Sequence, residues 1–253
     1  MKNKHITIFG TILFVCLLTA CGTTPSNNSD TTEPTNTNTT KKEATEDLPR
    51  KYYGIDISQY QGNEMQEIGP EDSLTFIICK ATEGITYVDP DFNSNRKLIE
   101  SKNYILGMYH FFHTDDDPTQ QSEFYLKTVG SFPNNSIAPI VDIEQGSLSA
   151  NSKKTAQTIQ SDLLVFLNSV EKNTGRKPII YTGLAFADQY LNNPVFNSYK
   201  LWLAEYVKTT SPQIPNVWKN KGYFIWQKSD SYNIDSKQDD FDVYFGTKAE
   251  LVK

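Results

Sequence analysis

Two acids stand two residues apart in Val141-Asp142-Ile143-Glu144, directly behind the apolar lead-in Ile137-Ala138-Pro139-Ile140. A run of this kind reads as a buried strand, and the two-residue period of a strand turns both carboxylates to one face. If that face lines a partly dry site, desolvation and like charge raise at least one carboxyl pKa, which keeps a proton donor available near neutral pH. Cleavage of a glycosidic bond needs such a pair: one carboxyl protonates the leaving oxygen and the other stabilises charge on the sugar. The same spacing also suits a strand end in solvent or a helix cap, so what matters is whether other polar groups reach the same place.

The elements that would bring them there follow from the pattern beyond Lys51, where short apolar, β-branched runs alternate with longer stretches of helical period. Strands are expected at Tyr52–Ile57, Thr75–Lys80, Ile105–Phe111, Ala138–Ile143, Pro178–Thr182, Lys200–Ala204, Tyr223–Gln227 and Phe241–Phe245. Polar side chains recur at their ends: Asp56, Lys80, Tyr109 with His110, Tyr181, Glu205 and Gln227. Active sites of β/α barrels collect at that end of the strands. One helix is expected from about Ser152 to Asn173, where Ala156, Ile159, Leu163, Phe166, Leu167 and Val170 form one stripe and Gly175 is a stop. A second has Asp117 as N-cap, Pro118 as first helical residue and Gly130 as terminator. Eight strands fit closure better than an open sheet. The later crossovers are short of helix, so the expected fold is α/β, an irregular (β/α) TIM-like barrel forming a single domain over residues 51–253.

The N-terminus has a different character. Lys2 and Lys4 precede an apolar run from Ile6 to Leu18, shorter than a comfortable membrane span and suited to a signal-peptide core. Leu18-Thr19-Ala20-Cys21 resembles a bacterial lipobox, which implies removal of residues 1–20 and a diacylglycerol on Cys21. From Cys21 to Arg50 the chain is Thr, Asn, Ser, Pro and charge, too polar to offset the entropy of ordering, and is expected to be a tether with a root-mean-square span of roughly 30 Å. The expected location is therefore extracytoplasmic, on the outer face of a bacterial cell membrane.

Thirty acidic residues against 24 basic ones give a formal charge of −6, and loss of Lys2 and Lys4 makes it more negative, which argues against a nucleic-acid partner. With Cys16 removed and Cys21 lipidated, Cys79 is the remaining thiol, and its apolar surroundings read as a buried small hydrophobe. His110 and His113 would face opposite sides of a strand, and His5 leaves with the signal, so no histidine metal site is expected. Asp115-Asp116-Asp117 reads as a solvated loop and helix cap. No metal and no cofactor is expected.

Several motifs occur in an order that resembles glycoside hydrolase family 25, the lysozymes of the phage endolysin and autolysin type, across Tyr53 to Phe245. Gly54-Ile55-Asp56-Ile57-Ser58-Gln59-Tyr60-Gln61-Gly62 is similar to the family's opening D-x-S-x-x-Q-G, and Lys80-Ala81-Thr82-Glu83-Gly84 to its K-A-T-E-G strand and turn. Gly107-Met108-Tyr109-His110-Phe111 resembles G-x-Y-H-F, and Asp142-Ile143-Glu144 the family's D-x-E. Leu201-Trp202-Leu203-Ala204-Glu205-Tyr206 and Ile225-Trp226-Gln227 look like its later W-x-A-x-Y and W-Q strands. In Asp239-Asp240-Phe241-Asp242-Val243-Tyr244 the family's last acid aligns with Asp240. Tyr244 stands there in place of the usual Phe and leaves Asp242 as the alternative.

The resemblance implies an N-acetylmuramidase acting on peptidoglycan, with Glu144 as principal acid/base, Asp142 as its partner, and Asp56 and Asp240 as supporting carboxylates. Tyr109, Lys80, Tyr181, Trp202, Gln227 and Trp226 are the expected substrate contacts, and the protein is expected to act as a monomer. Carboxylates at i and i+2 on a strand start roughly 6.5–7 Å apart, a spacing compatible with inversion or with retention assisted by the substrate's acetamido group. Retention is favoured, because both wall sugars carry that group. Two other functions fit the same residues: a wall-glycan-binding module without turnover, and an exported hydrolase of another acetamido-sugar polymer.

Overall fold

The computed structural model describes residues 47–62, 64–69, 72–234 and 237–253. The expected signal segment, the expected lipidation site Cys21 and the expected tether up to residue 46 lie outside the described residues. Among the described residues there are nine strands: β1 (Arg50–Ile57), β2 (Phe76–Glu83), β3 (Tyr87–Val88), β4 (Ile105–Phe111), β5 (Ile140–Asp142), β6 (Ile179–Gly183), β7 (Lys200–Ala204), β8 (Ile225–Ile234) and β9 (Lys237–Gly246). Six helices accompany them: α1 (Glu64–Glu67), α2 (Phe92–Ser101), α3 (Pro118–Val129), α4 (Ala156–Thr174), α5 (Leu184–Tyr190) and α6 (Lys248–Leu251).

Eight strands close into a barrel in the order β1-β2-β4-β5-β6-β7-β8-β9, with β9 returning to β1 and the two-residue β3 appended to β2. Neighbours from β1 through β8 run parallel, whereas β9 is antiparallel to both β8 and β1. The expected irregularity has this cause. A parallel pair requires a long crossover, but an antiparallel partner can be reached by a hairpin, so β8 to β9 needs no helix. Between β7 and β8 the chain makes only the 3-10 turn Asn216–Trp218.

Period-two alternation sorts the side chains into two cores. Phe76 and Ile78 of β2, Ile140 of β5, Ile179 of β6 and Ile225 of β8 fill the barrel. Ile77, Cys79, Val141, Ile180 and Leu201 face outward and pack with Ile99, Tyr125, Leu163 and Phe166 of the helices. Each fully buried Leu or Ile in this layer contributes roughly 1.5–3 kcal/mol. Cys79 lies in the outer core, where burial pushes its thiol well above the ordinary range. Gly54 admits the ring of Phe76 to the barrel floor, since a Cβ there would stand 2.3 Å from the ring.

The helix signals in the sequence act locally as expected for α3: Asp117 accepts from the Gln120 amide at 2.9 Å, Pro118 opens the helix, and Gly130 ends it at φ 68°. Helix α4 begins later than Ser152, because Thr155 supplies the cap by accepting from the Thr158 amide. The domain also starts earlier than Lys51. Arg50 opens β1, and Asp47 accepts the Lys248 and Ala249 amides at the start of α6, a tertiary cap that the polar composition of this stretch conceals.

Candidate active site

At the carboxyl end of the parallel strands a cleft of about 220 Å³ is lined by Asp56 of β1, Lys80 of β2, Tyr109 of β4, Asp142 of β5, Tyr181 of β6, Trp202 of β7, Gln227 of β8 and Asp240 of β9, with Glu144 just beyond β5. Barrel closure thus pools side chains separated by up to 184 positions in sequence. Register explains the convergence: Lys80 pairs with Tyr109, Asp142 with Tyr181, Tyr181 with Trp202, and Asp56 with Asp240. Each therefore occupies the same interior-facing layer. Glu144 is held in extended backbone, with its amide donating to Ser147 Oγ at 3.0 Å across a short 3-10 turn.

The acids are bound to one another through a polar network. Asp56 Oδ2 accepts from Gln227 Nε2 at 2.7 Å, and Gln227 Oε1 accepts from the hydroxyls of Tyr181 at 2.8 Å and Tyr206 at 2.7 Å. Asp56 sits opposite Asp240 in the β1–β9 ladder, with Asp242 two residues along the same strand. Burial, followed by the charge of Asp240, holds the Asp56 carboxyl well above the usual carboxylate range. Burial raises Asp240 to about 6, with Asp230 and Asp239 adding to the effect. Three carboxyl groups this close cannot all ionise cheaply, so the cluster retains protons toward neutral pH.

The Asp142–Glu144 pair shows the same physics. Burial pushes Asp142 well up, and the charge of Glu144 adds to it. Burial also raises Glu144, and the Lys80 ammonium partly offsets this. Among the described residues, Asp142 Oδ1 is buried without a hydrogen-bond partner. The two carboxyls share one low-dielectric site, where ionising both at once is disfavoured.

Glu83, outside the cleft lining itself, is a partner of the cleft's Lys80 that strand periodicity conceals. Period two would send Lys80 and Glu83 to opposite faces, but a bulge between Lys80 and Thr82 shifts the register and turns both the same way. Lys80 Nζ donates to Glu83 Oε2 at 2.6 Å and lies 4.9 Å from the centre of the Phe111 ring. His113 Nε2 bonds Glu83 Oε1 at 2.8 Å, and His113 Nδ1 bonds Asp116 at 3.2 Å. The signal available in the sequence was Gly84, which adopts φ +54°; a Cβ there would meet Asp116 at 2.6 Å and His113 at 2.8 Å.

Trp226 is not brought to the cleft. It faces out of the barrel, with its indole N–H donating to the Glu205 carbonyl at 2.8 Å, because Ile225 and Gln227 take the inward positions on β8. Glu205 likewise lies outside the cleft lining. Trp202 forms the cleft floor and donates to Asp242 Oδ1 at 2.7 Å. That bond separates the two candidate acids of β9: Asp240 lines the cleft, while Asp242 lies sealed beneath it.

His110 lies in the outer core, stacked 5.0 Å from Phe166 and bonded to Thr82 and Gln121. Burial lowers its pKa to about 3. Among the described residues no three His, Cys, Asp or Glu side chains are grouped to hold a metal ion. Asp117 caps α3, and Asp115 accepts from Ser149 and Ser152.

An eight-stranded barrel with carboxylates, tyrosines and an amide pooled over its strand ends defines the class of carboxylate-dependent glycoside hydrolases. The chain matches the model of Glycosyl hydrolases family 25 over residues 55–237 and belongs to that family. It is 32% identical over 215 residues to "Uncharacterized protein YegX" of Escherichia coli strain K12, covering 81% of this chain and 74% of that one. An "N,O-diacetylmuramidase" of Arthroderma benhamiae is 28% identical over 186 residues, covering 72% of this chain and 78% of that one. The solved structure of a family GH25 lysozyme from Aspergillus fumigatus superposes with a TM-score of 0.69 at 28% identity, covering 80% of this chain and 98% of that one.

Proposed function

We propose that this enzyme is an N-acetylmuramidase that hydrolyses the β-1,4 bond between N-acetylmuramic acid and N-acetylglucosamine in peptidoglycan. The observation that carries the reading is the meeting of Asp142 and Glu144 with Asp56 and Asp240 around one open cleft whose walls carry Tyr109, Tyr181 and Lys80. The muramidase and lysozyme named above support the choice of substrate.

Glu144, raised by burial, protonates the leaving oxygen and later takes a proton from water. Asp142 holds the substrate's acetamido group. Its partnerless Oδ1 accepts the acetamido N–H, and the acetamido oxygen attacks the anomeric carbon with retention of configuration. That same hydrogen bond favours the ionised form of Asp142 and so moves the shared proton onto Glu144, where the leaving group needs it. Asp240, raised only to about 6, supplies negative charge to the oxocarbenium-like transition state at neutral pH, with Asp56 beside it as the protonated member of the cluster, while Lys80, Tyr109, Tyr181 and Gln227 hold sugar oxygens and Trp202 walls the floor.

The reading includes the N-terminal segment. The run of residues 1–20 followed by Cys21 supports export and lipid anchoring, with the polar stretch beyond it as a tether, and the catalytic domain acts as a monomer on the wall outside the membrane. Cys21→Ala is expected to move the protein from the membrane fraction to the medium.

The test of the activity is mass spectrometry of digested, purified wall. New reducing-end N-acetylmuramic acid is expected; reducing-end N-acetylglucosamine, or cleavage only of another acetamido-sugar polymer, would overturn the assignment.

A further inference from the structure

Closing the barrel with a hairpin leaves the outer face of β8, β9 and β1 without the helical cover that the parallel strands have. On that face lies a groove of about 820 Å³, distinct from the catalytic cleft and larger than it. Rings make up half of its lining. The outward-facing alternates of β9, Phe241 and Phe245, meet Tyr53 of β1 and Tyr232 of β8, and Trp226 forms the base. Tyr53 and Tyr232 each stack on Phe241, with centroids 5.6 and 4.1 Å apart and planes within 21°. Tyr53, Tyr232 and Phe245 are 39%, 42% and 64% exposed. Exposed aromatic surface gathered in one groove, rather than scattered singly, marks a binding surface.

We propose that this groove is a second glycan-binding site, which holds a wall strand of acetamido sugars while another stretch of the polymer enters the cleft; the ligand class rests on the function proposed above. The stack holds the rings rigid, and the surface that Tyr53, Tyr232 and Phe245 leave open offers apolar platforms to the C–H faces of pyranose rings. Lys51 and Lys228, against the single acid Asp72, line the same groove as donors for hydroxyl and acetamido oxygens. They are also cations for the acidic groups that peptidoglycan carries, on a molecule whose net charge of −6 repels acidic polymer elsewhere.

The chemistry of the groove disfavours the chain's own N-terminal stretch as its occupant. The N-terminal stretch from 22 to 46 has only Ala44 and two prolines as apolar side chains, too little to cover the rings. A strand bound in the groove raises its own concentration at the nearby cleft, so the effect should appear on polymer and not on fragments.

The experiment compares the full chain with Tyr53→Ser/Phe245→Ser and with Lys51→Glu/Lys228→Glu. Binding is measured by co-sedimentation with insoluble peptidoglycan in a Glu144→Gln background, and turnover in the active background on the same sacculi and on short soluble wall oligosaccharides. The proposal expects roughly tenfold or greater weakening of co-sedimentation and a matching rise in KM on sacculi, with kcat/KM on the soluble fragments unchanged. Unchanged sedimentation in both variants overturns it. So does equal loss on polymer and fragment in variants that keep the wild-type circular dichroism. A shift from dimer to monomer in analytical ultracentrifugation without loss of glycan binding also overturns it and assigns the groove to a second copy. Should the aromatic pair fail to fold, the lysine pair decides alone, since both of its side chains are at the surface. Failure of wild type to cleave the soluble fragments would instead refute the muramidase reading and leave the binding comparison interpretable.

Discussion

Replacing Asp240 by Asn should stabilise the protein, and only above the acid range. Asp240 faces Asp56 across the β1–β9 ladder, and burial, then Asp230 and Asp239, raise its pKa from 3.8 to about 6. A carboxyl raised on folding contributes stability that is complete below its unfolded pKa and is lost as pH rises through the folded one. The window therefore runs from about pH 4 to about pH 6. The shift of roughly two units corresponds to at most about 3 kcal/mol at 1.36 kcal/mol per unit. Asp240 borders an open cleft and solvent screens it in part, so about 1–2 kcal/mol is the expected gain. Asn keeps the shape, can donate to Asp56 and carries no charge. Urea unfolding of wild type and Asp240→Asn should give equal midpoints at pH 3.5 and a higher midpoint for the variant at pH 8, at unchanged m value. Turnover should fall in the same variant, because the charge that destabilises the fold is the charge offered to the transition state. Equal midpoints at pH 8, or a less stable variant there, would refute the claim that the carboxylate cluster is held at the expense of stability.

Other perturbations separate chemistry from scaffold. Glu144→Gln should lower kcat by about 10²–10⁴ or more with folding intact, as judged by near-UV circular dichroism and reducing-end release. Lys80→Met removes the cation that holds both Asp142 and Glu144 down, so both limbs of the pH–rate profile should move to higher pH; a shift to lower pH would contradict the assigned electrostatics. Gly54→Ala drives a Cβ to within 2.3 Å of the enclosed Phe76 ring and should cost at least about 2 kcal/mol, read as a fall in Tm of roughly 4–8 °C. A proton NMR time course on a defined oligosaccharide should show the β-anomer first; an α-anomer formed first would exclude acetamido-assisted retention.

Much of the architecture was legible because its signals are local. Eight strand runs, the Asp117-Pro118 start and Gly130 stop of α3, and the stripe of α4 each report on neighbours a few residues away. The places where the reading departs from the structure have physical causes too. Asp47 caps α6 from some 200 residues away in sequence, α4 starts at the Thr155 cap and so later than about Ser152, and the bulge after Lys80 turns Glu83 to Lys80 against the strand period. Trp226 looked like a sugar platform for the cleft, yet parity on β8 turns it outward and places Gln227 inside.

By itself the sequence determined which side chains share a face of an unbulged strand, because extended backbone turns successive side chains to opposite sides. Asp142 and Glu144 were therefore legible as a pair. Only the tertiary structure decided which strands meet, and so that Asp56 and Asp240 join that pair while Asp242 is sealed under Trp202. The raised carboxyl pKa values belong to that second level, since burial and the approach of like charges arise only when barrel closure brings distant strand ends into one dry layer.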